Sequence, residues 1–114
     1  MSRAEVLIPR RLTLRLLALA QRRGPRLDAL VLARGGFPER IVEATSGLDA
    51  ARLTGSGSTL WARVLDAHAP QATAAPGGEP LRLLVRLDTR GVLQLSAYRW
   101  RHGRWLETAL ATVD

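Results

Sequence analysis

Hydrophobic positions recur along this chain in two different periods, and the two periods predict one helix among several strands. From Pro9 to Arg23 apolar residues recur every three or four positions with arginines between them, and Gly24 and Pro25 follow as a stop signal, which together predict a helix. Elsewhere the apolar residues form short runs or alternate with polar ones, which is typical of strands. The runs predicted as strands are 4–8, 27–34, 40–45, 81–87, 92–100 and 105–113.

The segments between these elements are predicted as turns, one loop and one ambiguous stretch. Residues 35–38 and 88–91 have turn sequences, and 46–59 is rich in Gly, Ser and Thr, which predicts a loop. Residues 60–68 fit both a helical stripe and a strand, so periodicity leaves this segment open. The order of elements indicates a single α+β domain over residues 1–114, with a mixed β-sheet, one principal N-terminal helix and a C-terminal antiparallel meander.

The amino-acid composition limits which chemical functions the protein can have. The 114 residues contain no cysteine, which excludes disulfides, thiolate zinc sites and cysteine nucleophiles. All 17 basic residues are arginine and the formal net charge is +7, which favours attraction to nucleic acid or to an acidic partner. The arginines are scattered along the chain, which argues against a dedicated phosphate-binding face. No apolar window approaches the length of a membrane helix, so the sequence predicts a soluble, cytoplasmic protein without membrane partners.

One stretch, residues 61–80, has a spacing that suggests a site. Asp66 and His68 are two residues apart, and Glu79 follows a segment rich in Pro, Ala and Gly. On a strand, side chains at i and i+2 share a face, so Asp66 and His68 could bind one ion, whereas a helix would separate them. An imidazole with two carboxylates is a ligand set for a divalent metal. The alternative is that these are surface polar residues around a loop.

Taken together, these segments resemble the MPN/JAB family, whose metalloprotease members carry the JAMM zinc motif. Residues 6–21, VLIPRRLTLRLLALAQ, look like the family's first strand and helix, and 25–35, PRLDALVLARG, resembles the stretch that carries its catalytic glutamate, with Asp28 at that position. The zinc motif reads His-x-His, seven residues, Ser, two residues, Asp. The same spacing here reads Asp66-Ala67-His68, Pro76 and Glu79. The close of the chain, 81–110, is similar to the family's last strands.

The resemblance implies a degenerate JAMM site. Asp66, His68 and Glu79 would be the metal ligands if zinc binds, Asp28 would replace the general base, and Pro76 would replace the serine that helps to stabilise the oxyanion. Asp28 is one methylene shorter than glutamate, and Pro76 has neither a hydroxyl nor an N–H to donate. The resemblance therefore implies an inactive site that holds no cofactor.

A non-catalytic member of this family would be a protein-binding or scaffold subunit linked to a ubiquitin-like or sulfur-carrier conjugation or deconjugation system. Its expected partner is a ubiquitin-like protein, an active MPN/JAB relative or a second copy of the chain. The alternative that the resemblance leaves open is an active zinc-dependent peptidase that cleaves a ubiquitin-like protein, with zinc-bound water as the nucleophile.

The C-terminal hairpin is a second candidate surface. Tyr98, Trp100, Arg101 and Trp105 place aromatic rings and a guanidinium group around one turn, as stacking on bases and contacts to phosphates would require. This pattern predicts a nucleic-acid-binding module as a further hypothesis. Aromatic residues next to arginines in a hairpin are also typical of cross-strand packing pairs, and that interpretation assigns them no ligand.

Overall fold

The computed structural model describes residues 6–43 and 57–114, which form an α+β domain with one α-helix and a mixed sheet, as the sequence predicts. The chain begins with β1 (Val6–Pro9), and α1 (Arg10–Arg23) follows directly. The remaining elements in chain order are β2 (Asp28–Arg34), β3 (Phe37–Glu43), β4 (Thr59–Asp66), β5 (Leu81–Leu87), β6 (Leu93–Arg101), β7 (Arg104–Thr108) and β8 (Leu110–Val113).

Six of the strands form one sheet in the order β3-β2-β4-β5-β6-β7, while β1 and β8 pair with each other in parallel. Within the large sheet β4 and β5 are parallel and the other neighbours are antiparallel. Parallel neighbours cannot be joined by a hairpin, so the chain must travel back along the sheet between them. Residues 67–80 make this connection and are called the return segment below.

The core lies between α1 and one face of the large sheet. The predicted apolar face of the helix is buried, and it consists of Leu12, Leu16, Leu19 and Ala20. These side chains form one cluster with alternate residues of the central strands, among them Val31, Val64, Leu83 and Val85. Gly24 ends the helix with φ 56°, and its N–H donates to the carbonyl of Ala20, which confirms the stop signal.

The structure settles the open segment as a strand and adds a bulge that the sequence does not show. Val31 is opposite Ala62 while Leu32 is opposite Leu60, so Trp61 is an extra residue in β4. The bulge interrupts the alternation of faces, and Trp61 packs against the helix-side core.

Two predictions about strand boundaries are wrong. Phe37 and Pro38, assigned to a turn, begin β3, because Gly35 and Gly36 (φ 61° and 80°) complete the turn by themselves. Residues 105–113, predicted as one strand of the meander, divide at Ala109, and β8 leaves the large sheet to pair with β1. The antiparallel meander therefore consists of β5, β6 and β7. The predicted loop 46–59 falls mostly on residues 44–56, which are outside the described residues, as are residues 4 and 5 of the first predicted strand.

An exposed ion-pair cluster joins the end of α1 to the end of β3, and it carries a pH prediction. Glu43 accepts a hydrogen bond from Arg23 Nε at 2.8 Å and lies 3.2 Å from Arg22 Nη2. The hydrogen bond from Arg23 lowers the pKa of Glu43 below its ordinary value of 4.5, and burial opposes this. The pKa of Glu43 is therefore lower in the folded state than in the unfolded state. The contact stabilises the fold at pH values above the unfolded-state pKa, and this stabilisation is lost as the pH falls through the folded-state pKa.

We therefore expect Arg23→Gln to raise the pKa of Glu43 towards 4.5, measured by NMR titration of the side-chain carboxyl. Arg34→Gln, which removes a different exposed pair with Glu39, should leave the pKa of Glu43 unchanged. A Glu43 pKa that does not respond to Arg23→Gln would contradict the contact.

Candidate functional site

Asp66 and His68 are placed by the end of β4 and do not share a strand face. The strand ends at Asp66, and His68 lies in the turn that follows, with an exposed side chain. Oδ1 of Asp66 accepts a hydrogen bond from the backbone N–H of His68 at 2.8 Å, so this carboxylate stabilises the turn. Because β4 ends at Asp66, the alternation of side chains between the two strand faces does not extend to His68.

Glu79 is buried, with 5% of its surface exposed, and both of its carboxylate oxygens are engaged. Oε2 accepts from Arg82 Nη2 at 2.9 Å, and Oε1 accepts from the backbone N–H of Gly77 at 2.5 Å. Within residues 6–43 and 57–114, which include Asp66, His68 and Glu79, no three acidic or histidine side chains are grouped so that they could hold a metal ion. The fold thus does not assemble the predicted ligand set.

The partner of Glu79 is a buried arginine on which the return segment is built. Arg82 is 1% exposed. Its Nη1 donates to the carbonyls of Gln71 at 3.2 Å, Ala72 at 3.3 Å and Ala74. Its guanidinium carbon lies 4.3 Å from the centroid of the Trp105 ring, and Nε1 of Trp105 donates to the carbonyl of Ala74 at 2.8 Å. We call Glu79, Arg82 and Trp105 the Arg82 clamp.

The Arg82 clamp holds the return segment against the sheet face opposite α1. Arg82 alternates along β5 with Leu81 and Leu83, which point into the helix-side core, so its side chain points to the other face. Its three carbonyl acceptors belong to the return segment, which therefore covers this face. Sequence reasoning missed Arg82 because its alternation with leucines resembles that of an exposed strand residue, as Arg86 in fact is.

Asp28, at the position of the expected general base, is bound to Arg63 on the neighbouring strand. The contact is bidentate, with Nε to Oδ1 at 3.0 Å and Nη2 to Oδ2 at 2.7 Å. Each side chain is 29% exposed, and the hydrogen bond with Asp28 raises the pKa of Arg63 against the opposing effect of burial. A cleft of about 260 Å³ lies beside the pair, lined in part by Arg26, Leu65 and Pro70. Both oxygens of Asp28 are occupied by the arginine.

Pro76 lies within the return segment, half-buried, one residue before the N–H that binds Glu79. Its ring nitrogen has no hydrogen and its side chain has no polar atom. It therefore offers no donor at the position where the resemblance would place one.

The hairpin residues divide between the two faces of the sheet. His102 and Gly103 form a tight turn with φ 55° and 77°, so Trp100 is directly opposite Trp105 and Arg101 is opposite Arg104. The two indole rings meet edge to face, with centroids 5.1 Å apart. Tyr98, Trp100 and Trp105 share one face by register, and Arg101 is on the other. The predicted cluster of aromatic rings with Arg101 is thus not brought together, and the indole pair is a cross-strand packing contact.

Comparison with known proteins gives a fold neighbour and no family. No family model matches the chain, and no curated protein matches it. Among solved structures, the chain is similar to the solution structure of protein DSY2949 from Desulfitobacterium hafniense, with a TM-score of 0.65. The identity is 14%, and the match covers 96% of this chain and 93% of that chain. The likeness therefore concerns the fold, an α+β domain over nearly the whole length of both proteins.

The described part of the chain has no helix that is both long and apolar enough to cross a membrane.

Proposed function

We propose that this chain is an MPN/JAB-like domain that acts as a non-catalytic protein-binding or scaffold subunit of a cytoplasmic ubiquitin-like or sulfur-carrier system. The observation that carries the non-catalytic part is the state of the motif carboxylates. Asp28 is held by Arg63, Glu79 by Arg82 and Gly77, and Asp66 by the backbone of His68. These contacts give the three carboxylates structural roles.

A zinc site would require these contacts to be exchanged for others. A metal ligand needs lone pairs directed at the ion, and a general base needs an oxygen free to take a proton. If Glu79 turned to a metal, the guanidinium of Arg82 would stay buried without its carboxylate. Breaking a buried ion pair from one side costs about 3–5 kcal/mol. The arrangement thus favours a domain whose role is binding over one that hydrolyses a peptide bond.

Zinc titration by calorimetry tests the proposal. We expect wild type and His68→Ala to give the same result, without a stoichiometric site that depends on His68. His102→Ala is the matched control, because His102 is an exposed turn residue on the C-terminal hairpin. The reverse outcome is stoichiometric zinc binding that is lost in His68→Ala and kept in His102→Ala. That result would support the zinc-dependent peptidase, and cleavage of a ubiquitin-like substrate would then be assayed with and without the metal.

A further inference from the structure

A groove of about 270 Å³ opens on the helix side of the sheet, away from the motif positions. It is lined by residues of β1, of the β2–β3 turn and of β3, β4, β5 and β6. Two large apolar side chains at this groove are exposed, Leu7 at 43% and Phe37 at 48%, and the half-buried Trp61 completes its wall. The bulge in β4 is what turns Trp61 towards this side. The volume is at the lower limit for small-molecule pockets, so the groove suits one or two apolar side chains of a larger partner.

Arginines border this groove on one side. Arg99 lines it, and Arg101 is two residues further along β6 on the same sheet face. Arg104 of β7 is directly opposite Arg101, and both are exposed. Like charges directly opposite in an antiparallel pair are destabilising, so this pair opposes the stability of the hairpin. Among the described residues that line the groove, none is acidic.

We propose that the groove (Leu7, Phe37, Trp61) and its arginine border (Arg101, Arg104) bind an acidic segment of a partner protein. An apolar side chain of that segment fills the groove, and its carboxylates contact the border. Arginine suits this role because its planar fork can bind a carboxylate through two parallel hydrogen bonds. The inference rests on the proposed binding function and names the surface and the chemistry of the partner.

Charge decides between this partner and a second copy of the chain. In a two-fold dimer the same patch contacts itself, so two arginine borders would enter one interface. Each copy also has a net charge of +7, which adds repulsion between them. With an acidic segment, both the contact at the arginine border and the interaction with the net charge become attractive.

Fluorescence anisotropy with labelled synthetic probes tests the inference. The probes are a peptide with Leu and Phe flanked by Asp and Glu, the same peptide with Ser at the apolar positions, its counterpart with Lys flanks, and oligo-dT. We expect the acidic apolar peptide to bind best and to bind more weakly as salt increases. Phe37→Ser, and separately the double variant Arg101→Glu with Arg104→Glu, should each weaken its binding at least about tenfold, which equals 1.4 kcal/mol.

Matched control variants make the same kinds of substitution at exposed positions outside the groove and its arginine border. Leu14→Ser removes an apolar side chain of α1 that is 57% exposed, and Arg86→Glu with Arg90→Glu makes the same charge change at exposed positions outside the groove. Both controls should bind the peptide like wild type. Leu7→Ser, followed with circular dichroism, provides a second groove variant in case Phe37→Ser does not fold.

Each other outcome overturns the inference. Equal binding of the Ser-substituted peptide would mean that charge alone attracts the ligand. Preferred binding of oligo-dT, insensitive to Phe37→Ser, would assign the border to nucleic acid. A dimer in sedimentation that Phe37→Ser dissociates would make the groove a self-contact. If no probe binds, the proposed surface is wrong, while the zinc titration decides independently whether the domain is non-catalytic.

Discussion

Replacing Arg82 by methionine should lower the free energy of unfolding by about 3–5 kcal/mol, because Glu79 then stays buried without its cation. A domain of this size is stabilised by about 5–15 kcal/mol, so a large share of the total would be lost. The same change removes the donors for the carbonyls of Gln71, Ala72 and Ala74. Urea unfolding followed by circular dichroism measures the effect.

The matched control is Arg34→Met, which breaks an ion pair with Glu39 in which the two side chains are 61% and 43% exposed. Pairs of this kind contribute at most about 1 kcal/mol. The double variant Arg82→Met with Glu79→Leu should regain part of the stability, because replacing both members of a buried pair by apolar residues is often neutral. If Arg82→Met and Arg34→Met lose the same stability, the Arg82 clamp does not hold the return segment.

Trp105→Leu should lower the free energy of unfolding by about 2–3 kcal/mol, the second largest effect we expect. The ring face over the guanidinium of Arg82 contributes up to about 2 kcal/mol when the contact is desolvated. The hydrogen bond from Nε1 to the carbonyl of Ala74 contributes about 1 kcal/mol. Trp105→Phe keeps a ring and loses the donor, so its loss should be close to 1 kcal/mol, measured by the same urea unfolding.

Trp100→Leu is the control for this series, because it removes the edge-to-face contact that Trp105→Leu also removes, and it leaves Arg82 covered by Trp105. Its loss should be about 0.5–1.5 kcal/mol from the aromatic pair. A Trp105→Phe variant as unstable as Trp105→Leu would show that the hydrogen bond dominates and that the stacked cation contributes little. The folded Trp105 variants should also bind the acidic peptide like wild type, since Trp105 is on the face opposite the groove by register.

The two faces of the sheet have different roles in these predictions. On the face opposite α1, Asp28 is paired with Arg63, and the buried Arg82 holds the return segment and Glu79. Asp66, at the end of β4, is on the helix side by register and binds the backbone of the turn that follows. On the helix side, apolar side chains and arginines remain exposed around a groove. The groove and its arginines therefore lie away from the residues that the family resemblance would assign to a metal site. The zinc titration therefore tests the predicted metal ligands, and the peptide experiment tests the groove independently of them.

Sequence patterns anticipated the elements whose spacing is local. The helix and its Gly24 stop, the strand at 27–34 and the β5–β6 hairpin follow from periodicity and turn chemistry, and the structure confirms them to within a residue or two. The packing interpretation of the hairpin aromatics was also accessible, since opposed positions flank the turn. The bulge at Trp61 was not, because one extra residue leaves the hydrophobic pattern of β4 almost unchanged while reversing the direction of a side chain.

By itself the sequence determined the α+β class, the helix, most strand positions and the excess of arginine, because these depend on local spacing and on composition. The tertiary structure alone decided the partners that are distant in sequence. Arg63 is 35 residues from Asp28, and Trp105 is 31 residues from Ala74, so only the strand order and register bring them together. The same applies to β8, whose alternation would suit a meander but whose hydrogen bonds go to β1. Burial changes the role of a charge: Arg82 has the sequence pattern of an exposed strand residue, yet inside the fold it binds Glu79 and the return segment.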